Sequence, residues 1–364
     1  MRILILANDG GYLYHLRREL VERLCKSNQV FYALPEGEMI PELEKIGGAH
    51  IPFAYRGRGM NPFADLGQLL RYVRLIRKLR PHLVLTYTIK PNVYGGLACR
   101  ITGAPYIATI TGLAPIVKGG GLLGRITTAL YKAGIKRAHC VFFQNTDNRE
   151  FFLSRHLIQV QNRLVPGSGV NLEAHYAEEY PRCGETIRFL FVGRVIKIKG
   201  IEELLGAMQG LRKAHPNIFL DIVGELVEDY SQVISQAEQE GIAKYHGEQP
   251  AIHSFYRDAH CVVLPSYHEG MSNVLLEAAA TGRPVITTRI PGCVETFEEG
   301  VTGFGCQAGD AGSLAEAMEK FLALSWEERA AMGQAGHEKV AREFDRKIVV
   351  DAYMEEIEAL RQGE

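Results

Sequence analysis

The residues best suited to chemistry lie in VVLPSYHEGMSNVLLEAAATGRPVITT, residues 262–288. An apolar, strand-like run stops at Pro265, which cannot donate to a further ladder. A short loop carrying Glu269 and Gly270 follows, then Ser272, a residue type that caps helices. NVLLEAAA reads as the helix itself, ended by Thr281-Gly282. Glu277 falls four residues after Asn273 and so on the same helix face. The backbone amides of Met271, Ser272 and Asn273 would point at whatever the loop encloses. Two carboxylates flanking a helix N-terminus suit a ligand with a phosphate between two sets of hydroxyls. The competing reading makes Glu269 a capping acid and Glu277 an ordinary surface charge.

A second segment, FVGRVIKIKG, lies about 70 residues earlier. Gly193 permits a tight exit from a strand, Arg194 follows at the strand's carboxyl end, and Lys199 stands at the expected start of a helix. Two cations beside a helix N-terminus make a site for an anion of pyrophosphate type. Alone, such a pair is just as readily solvated surface.

The elements that must position these groups alternate. Apolar runs at 3–7, 30–34, 83–87, 106–110 and 140–143 are separated by amphipathic stretches such as Leu66–Leu79. The pattern repeats with runs at 187–192, 219–223, 261–264 and 284–288. Continuously apolar strands alternating with helices predict doubly wound, parallel α/β sheets. A chain of 364 residues exceeds what one core usually serves, which predicts two Rossmann-like domains. The join falls near 165–185, giving domains 1–170 and 171–346, with a final amphipathic segment, 347–364, expected to be helical. In such folds ligands gather outside the carboxyl ends of the strands, here across a cleft.

Composition narrows the class. With 46% apolar and 23% charged residues the chain has the balance of a globular protein. No apolar run approaches the roughly 20 residues a spanning helix needs. MRILILANDGG lacks the features of a signal peptide. Seven scattered cysteines without a C-x-x-C pair argue for reduced thiols in cytosol rather than a disulfide framework or zinc site. Residues 1–180 carry 23 Lys and Arg against 13 Asp and Glu, and residues 181–364 carry 18 against 29. The basic half suits an anionic membrane surface or a phosphate-bearing substrate; no nucleic-acid motif accompanies it.

Arg194 and Lys199 followed by Glu269-x7-Glu277, in their loop–helix–Gly–Pro setting, resemble the donor site of family 4 glycosyltransferases. The likeness extends over nearly the whole chain. It implies the GT-B fold, a UDP-sugar donor, retention of anomeric configuration, and no cofactor or metal. It further implies that Arg194 and Lys199 bind the donor diphosphate, that Glu269 contacts the donor sugar, and that Glu277 holds the ribose. The final helix of this family crosses back onto the N-terminal domain.

Within that family, GGYLYHLRREL and YTIKPNVYGGLA resemble enzymes that extend lipid-linked oligosaccharides, among them transferases adding N-acetylgalactosamine to an undecaprenyl-diphosphate sugar. Gly10-Gly11 would let backbone approach the donor diphosphate. Tyr14, His15 and Arg17 would face the acceptor, with Lys90 and Asn92 beside them. His15 equally fits a structural hydrogen bonder. The basic helices near 66–80 and 122–137 are candidates for a membrane face, placing the protein at the inner surface of the cell membrane. Where many members carry a histidine after the strand IATITG, this chain has Thr111-Gly112, which leaves the donor sugar open. Gly119-x-Gly121-x-x-Gly124 matches a dinucleotide fingerprint without the strand and acidic residue that motif requires, and reads as a loop. The rivals are a UDP-sugar epimerase of the same fold and a non-catalytic nucleotide-sugar-binding module.

Overall fold

A computed structural model describes residues 1–54, 62–113, 117, 119, 121–182, 184 and 186–363. The chain divides into two compact units, Met1–Ser168 with Lys347–Glu364, and Gly169–Arg346.

In the first unit, strands β1 (Arg2–Leu6), β2 (Gln29–Leu34), β3 (Ala49–Pro52), β4 (Leu83–Tyr87), β5 (Tyr106–Ile110), β6 (Cys140–Phe143) and β7 (Gln161–Leu164) form one sheet. Its order is β3-β2-β1-β4-β5-β6-β7, and the pairings are parallel. β1, β4, β5 and β6 are almost wholly buried, so their runs are apolar throughout rather than alternating. The final helix, Arg346–Gln362, belongs to this unit: Val349, Val350, Tyr353 and Ile357 pack with Leu85, Tyr87, Ile107 and Phe142.

The second unit holds β8 (Ile187–Val192), β9 (Ile218–Val223), β10 (Ala243–Tyr245), β11 (Cys261–Leu264), β12 (Val285–Thr288) and β13 (Gly303–Cys306). Its order is β10-β9-β8-β11-β12-β13, again parallel. Both sheets reverse direction once, between β1 and β4 and between β8 and β11. Those are the switch points outside which ligands of such folds bind. Arg194 and Glu269 follow β8 and β11 directly, so the second switch point is where the sequence placed its cations and carboxylates.

Candidate functional site

Glycines decide the geometry of the second switch point. The chain leaves β8 through Gly193, at φ +148°, whose amide donates to the Val223 carbonyl at 2.9 Å. A short 3-10 turn, Lys197–Lys199, then presents Lys199 and ends at Gly200, φ +75°. A Cβ at Gly200 would stand 2.2 Å from the Pro265 carbonyl oxygen. Only glycine lets the loop after β8 lie against the loop after β11. The Tyr267 amide stitches them by donating to the Ile198 carbonyl at 2.9 Å. On the other side a Cβ at Gly292, φ +87°, would stand 2.7 Å from the Gly270 carbonyl oxygen. Three loops therefore close around Ser266–Ser272.

These contacts bring Lys199 and Glu269 together. The Lys199 ammonium donates to Glu269 Oε1 at 2.5 Å, and Ser266 Oγ donates to the same oxygen at 2.8 Å. Their side chains are 18% and 12% exposed, so the pair is shielded yet reachable. Arg194 is exposed and, among the described residues, makes no hydrogen bond or ion pair. A cation committed to a carboxylate, with an exposed arginine at the exit of the neighbouring strand, suits a ligand with both hydroxyls and phosphates: a carboxylate can accept from hydroxyls, and cations can meet an anion.

The helix Asn273–Ala280 begins next to this pair. Ser272 caps it, its hydroxyl accepting from the Leu275 amide at 3.5 Å. The expectation that the Ser272 amide is open to a ligand is not met, because it donates to the Gly292 carbonyl at 2.8 Å. Met271 is buried with Leu276, Val340 and Phe344 in a small apolar cluster. Asn273 keeps an enclosed side-chain oxygen without a partner among the described residues.

Glu277 is half-buried and accepts from the Tyr256 hydroxyl at 2.8 Å. Burial pushes its carboxyl up to about 7, against the lowering pull of the Tyr256 hydrogen bond and of Arg346. The sign of the resulting stability follows. Between the ordinary 4.5 and about 7 the folded chain holds a proton that the unfolded chain has released. Stability from this group is therefore complete below that window and lost as pH rises through it, by roughly 3 kcal/mol. Glu277→Gln removes the titration. Thermal unfolding without ligand should show the variant equal to wild type near pH 4, below the window, and more stable near pH 8; a gap independent of pH would contradict this.

The residues expected in the first unit, Gly11 for the donor diphosphate and the others for the acceptor, fare differently. Gly11 does not offer its amide to a diphosphate: the Asp9 carboxylate caps the helix Gly10–Cys25, accepting from Gly11 and Tyr12 at 2.9 and 3.3 Å. A carboxylate already at that terminus repels a second anion. Asn92 is fully buried, accepting from Thr86 Oγ1 and donating to the Thr109 carbonyl, both at 2.7 Å. It holds β4, β5 and the following turn together, enclosed away from solvent. Lys90 pairs with buried Asp65 at 3.1 Å. Tyr14 turns toward Arg18, whose guanidinium donates to its hydroxyl at 3.3 Å, and His15 is exposed with its ring edge-on to Tyr14 at 5.2 Å. Arg17 is buried. Of the GxGxxG stretch, Gly119 and the residues from Gly121 onward are described, and Leu122 opens the helix Leu122–Ile135.

Paired doubly wound parallel sheets with a cation–carboxylate site at the second switch point are the architecture of a GT-B transferase. Sucrose-phosphate synthase of Thermosynechococcus elongatus superposes at a TM-score of 0.82 with 20% identity, covering all of both chains. HepE of Anabaena, crystallised with UDP and glucose, superposes at 0.81 with 18% identity over 99% of this chain and 100% of its own. Residues 2–145 match the family model for glycosyl transferase 4-like proteins, and residues 173–339 the model for glycosyl transferases group 1. The chain belongs to this family of glycosyltransferases. It is 25% identical to the N,N'-diacetylbacillosaminyl-diphospho-undecaprenol alpha-1,3-N-acetylgalactosaminyltransferase of Campylobacter jejuni, over 97% of each chain. It is 26% identical to the capsular polysaccharide glycosyltransferase CapM of Staphylococcus aureus, over 95% of this chain and 93% of that one.

Proposed function

We propose that the protein transfers a sugar, N-acetylgalactosamine or a related hexose, with retention from a UDP-sugar to an undecaprenyl-diphosphate-linked saccharide. The observation that carries this is the Lys199–Glu269 pair at the switch point of the second unit, with exposed Arg194 two residues beyond the end of β8. Arg194 and Lys199 neutralise the diphosphate, in the role a metal fills in other transferases. Glu269 accepts from donor-sugar hydroxyls, and Glu277 from the ribose. The acceptor hydroxyl forms its bond to the anomeric carbon on the face the diphosphate leaves. The carbon–oxygen bond to the β-phosphate breaks, and the acceptor's proton passes to a phosphate oxygen. That route keeps the configuration and needs no strong protein base.

A lipid-linked acceptor gains support from the name of the Campylobacter relative and from the surface of the first unit. Among the described residues no helix is long and apolar enough to cross a membrane. Yet Phe63 and Leu122 are 89% and 78% exposed, with Leu66, Leu123 and Ile126 exposed beside them. They occupy the first turns of the helices Pro62–Leu79 and Leu122–Ile135, which start at the carboxyl end of the parallel sheet. Exposed Arg74, Arg77, Lys78, Arg125 and Lys132 lie along the same helices, with Arg137 just past the end of the second. Apolar anchors with nearby cations suit an anionic bilayer. Phe63→Ser with Leu122→Ser should lower co-sedimentation with anionic vesicles about tenfold or more; unchanged binding would remove the membrane from this reading.

The reading as a whole is tested by screening nucleotide-sugars for a rise in melting temperature, then supplying each hit with an undecaprenyl-diphosphate saccharide. A new, longer lipid-linked saccharide is the expected product. Conversion of the donor with no acceptor present would favour an epimerase. Donor binding without product on any lipid-linked acceptor would favour a binding module.

A further inference from the structure

The first sheet's switch point, between β1 and β4, carries a set of buried polar atoms that have no hydrogen bond of full geometry among the described residues. Arg17 is 1% exposed, on the face of its helix shared with Leu13, Leu20 and Leu24. Its guanidinium carbon lies 5.9, 5.4 and 5.8 Å from the ring centres of Tyr12, Tyr87 and Tyr353. Among the described residues no carboxylate pairs with it, and its Nε and Nη2 have no hydrogen-bond partner. The enclosed Oδ1 of Asn8 is unpartnered as well, and the enclosed hydroxyls of Tyr12 and Tyr87, near Arg17 and Tyr353 respectively, make no hydrogen bond of full geometry among the described residues. Asn8 stands just beyond the end of β1, and Tyr87 is the last residue of β4.

An enclosed cation without a counter-charge is strongly unfavourable, and three aromatic faces offset only part of the cost. A second departure from relaxed structure adjoins it: Thr88, directly after Tyr87, is β-branched yet sits at φ +68°. The unpaired Nε–Nη2 edge is the one that grips a carboxylate or phosphate through two parallel N–H···O bonds. Asp9 closes the amides at the start of the same helix, so the guanidinium, with the two phenols, is the donor set that remains. Asn8 Oδ1 lacks a donor, which a sugar hydroxyl supplies. An anion and a hydroxyl in one region are the features of a glycosyl phosphate. Asn8 and Tyr12, both half-buried, form the solvent side of the group.

We propose that Arg17, with Tyr12, Tyr87 and Asn8, forms an oxyanion subsite that takes a phosphate of the acceptor's glycosyl diphosphate. This rests on the reading of a diphosphate-linked acceptor given above.

The test starts from Lys199→Ala protein, whose donor-side anion site is weakened, titrated with inorganic pyrophosphate while its melting temperature is followed. The expected rise should vanish when Arg17→Lys or Tyr12→Phe is added; Tyr12→Phe removes one hydroxyl and keeps the ring, so it serves if Arg17→Lys does not fold. In otherwise wild-type protein Tyr12→Phe should raise the KM for an undecaprenyl-diphosphate saccharide about fivefold or more, leaving the KM for the donor in place. No pyrophosphate-induced rise, or a rise indifferent to both substitutions, overturns the subsite. A rise that depends on Tyr12 together with an unmoved acceptor KM assigns the site to free phosphate and overturns the acceptor assignment. Failure of transfer in wild-type protein, with the Tyr12-dependent rise intact, would instead strike the acceptor reading itself.

Discussion

Lys199→Ala should lower turnover by about 10²–10³-fold while the protein stays folded. In the proposed reaction the lysine is one of two cations that meet the departing diphosphate, where negative charge grows as the sugar–phosphate bond breaks. Interactions that strengthen only at that moment act on turnover more than on ground-state binding. Its side chain makes one strong contact, to Glu269, so the folded state loses little. What it leaves behind is a shielded carboxylate still held by Ser266. Arg194→Ala should act in the same direction without touching stability, since that side chain is exposed and unpaired among the described residues. Turnover with the transfer assay and melting temperature together read the outcome. Near-normal turnover in both variants would remove these cations from the chemistry.

Gly200→Ala should do damage of another kind, costing about 3 kcal/mol or more in urea unfolding, with activity falling alongside. Two penalties combine at this position. The backbone is left-handed at φ +75°, and the new methyl would stand 2.2 Å from the Pro265 carbonyl oxygen. A carbonyl oxygen on a strand end cannot swing away as a flexible side chain could, so the loop bearing Lys199 must retreat from the loop bearing Glu269. Their 2.5 Å ion pair and the Tyr267–Ile198 backbone bond depend on that closeness. Gly206, on a helix where a Cβ would meet only the Ala311 methyl at 3.8 Å, is the control: Gly206→Ala should be neutral or stabilising. Equal stability of wild type and Gly200→Ala would refute the packing argument.

The two sheets were legible because their central strands, such as Leu83–Tyr87 and Cys261–Leu264, are apolar end to end. The edge strands were not: AHIP, QNRL and AKY have at most four residues and half-exposed faces, so no pattern separates them from loop. In the site, Lys199 and Glu269 could be expected together because each lies in a loop that follows a strand end. What sequence reasoning missed has two causes. Some signals were present: Leu13, Arg17, Leu20 and Leu24 share helical spacing, which marks Arg17 as inward-facing, and Asp9 before Gly10-Gly11 is an N-cap signal. Others had no local trace. The partner of Glu277 is Tyr256, 21 residues away on another helix, and the bonds of Asn92 reach across to Thr109. Contacts of that kind arise only when strands are assembled side by side.

Calorimetric titration of UDP and of uridine, which lacks the phosphates, into wild-type protein and into Arg194→Ala/Lys199→Ala measures the central interaction directly. Wild type should bind UDP about a hundredfold or more tighter than uridine, and the double variant should lose most of that advantage while its affinity for uridine stays the same. A double variant that keeps the full preference for UDP would mean that the phosphates are held elsewhere.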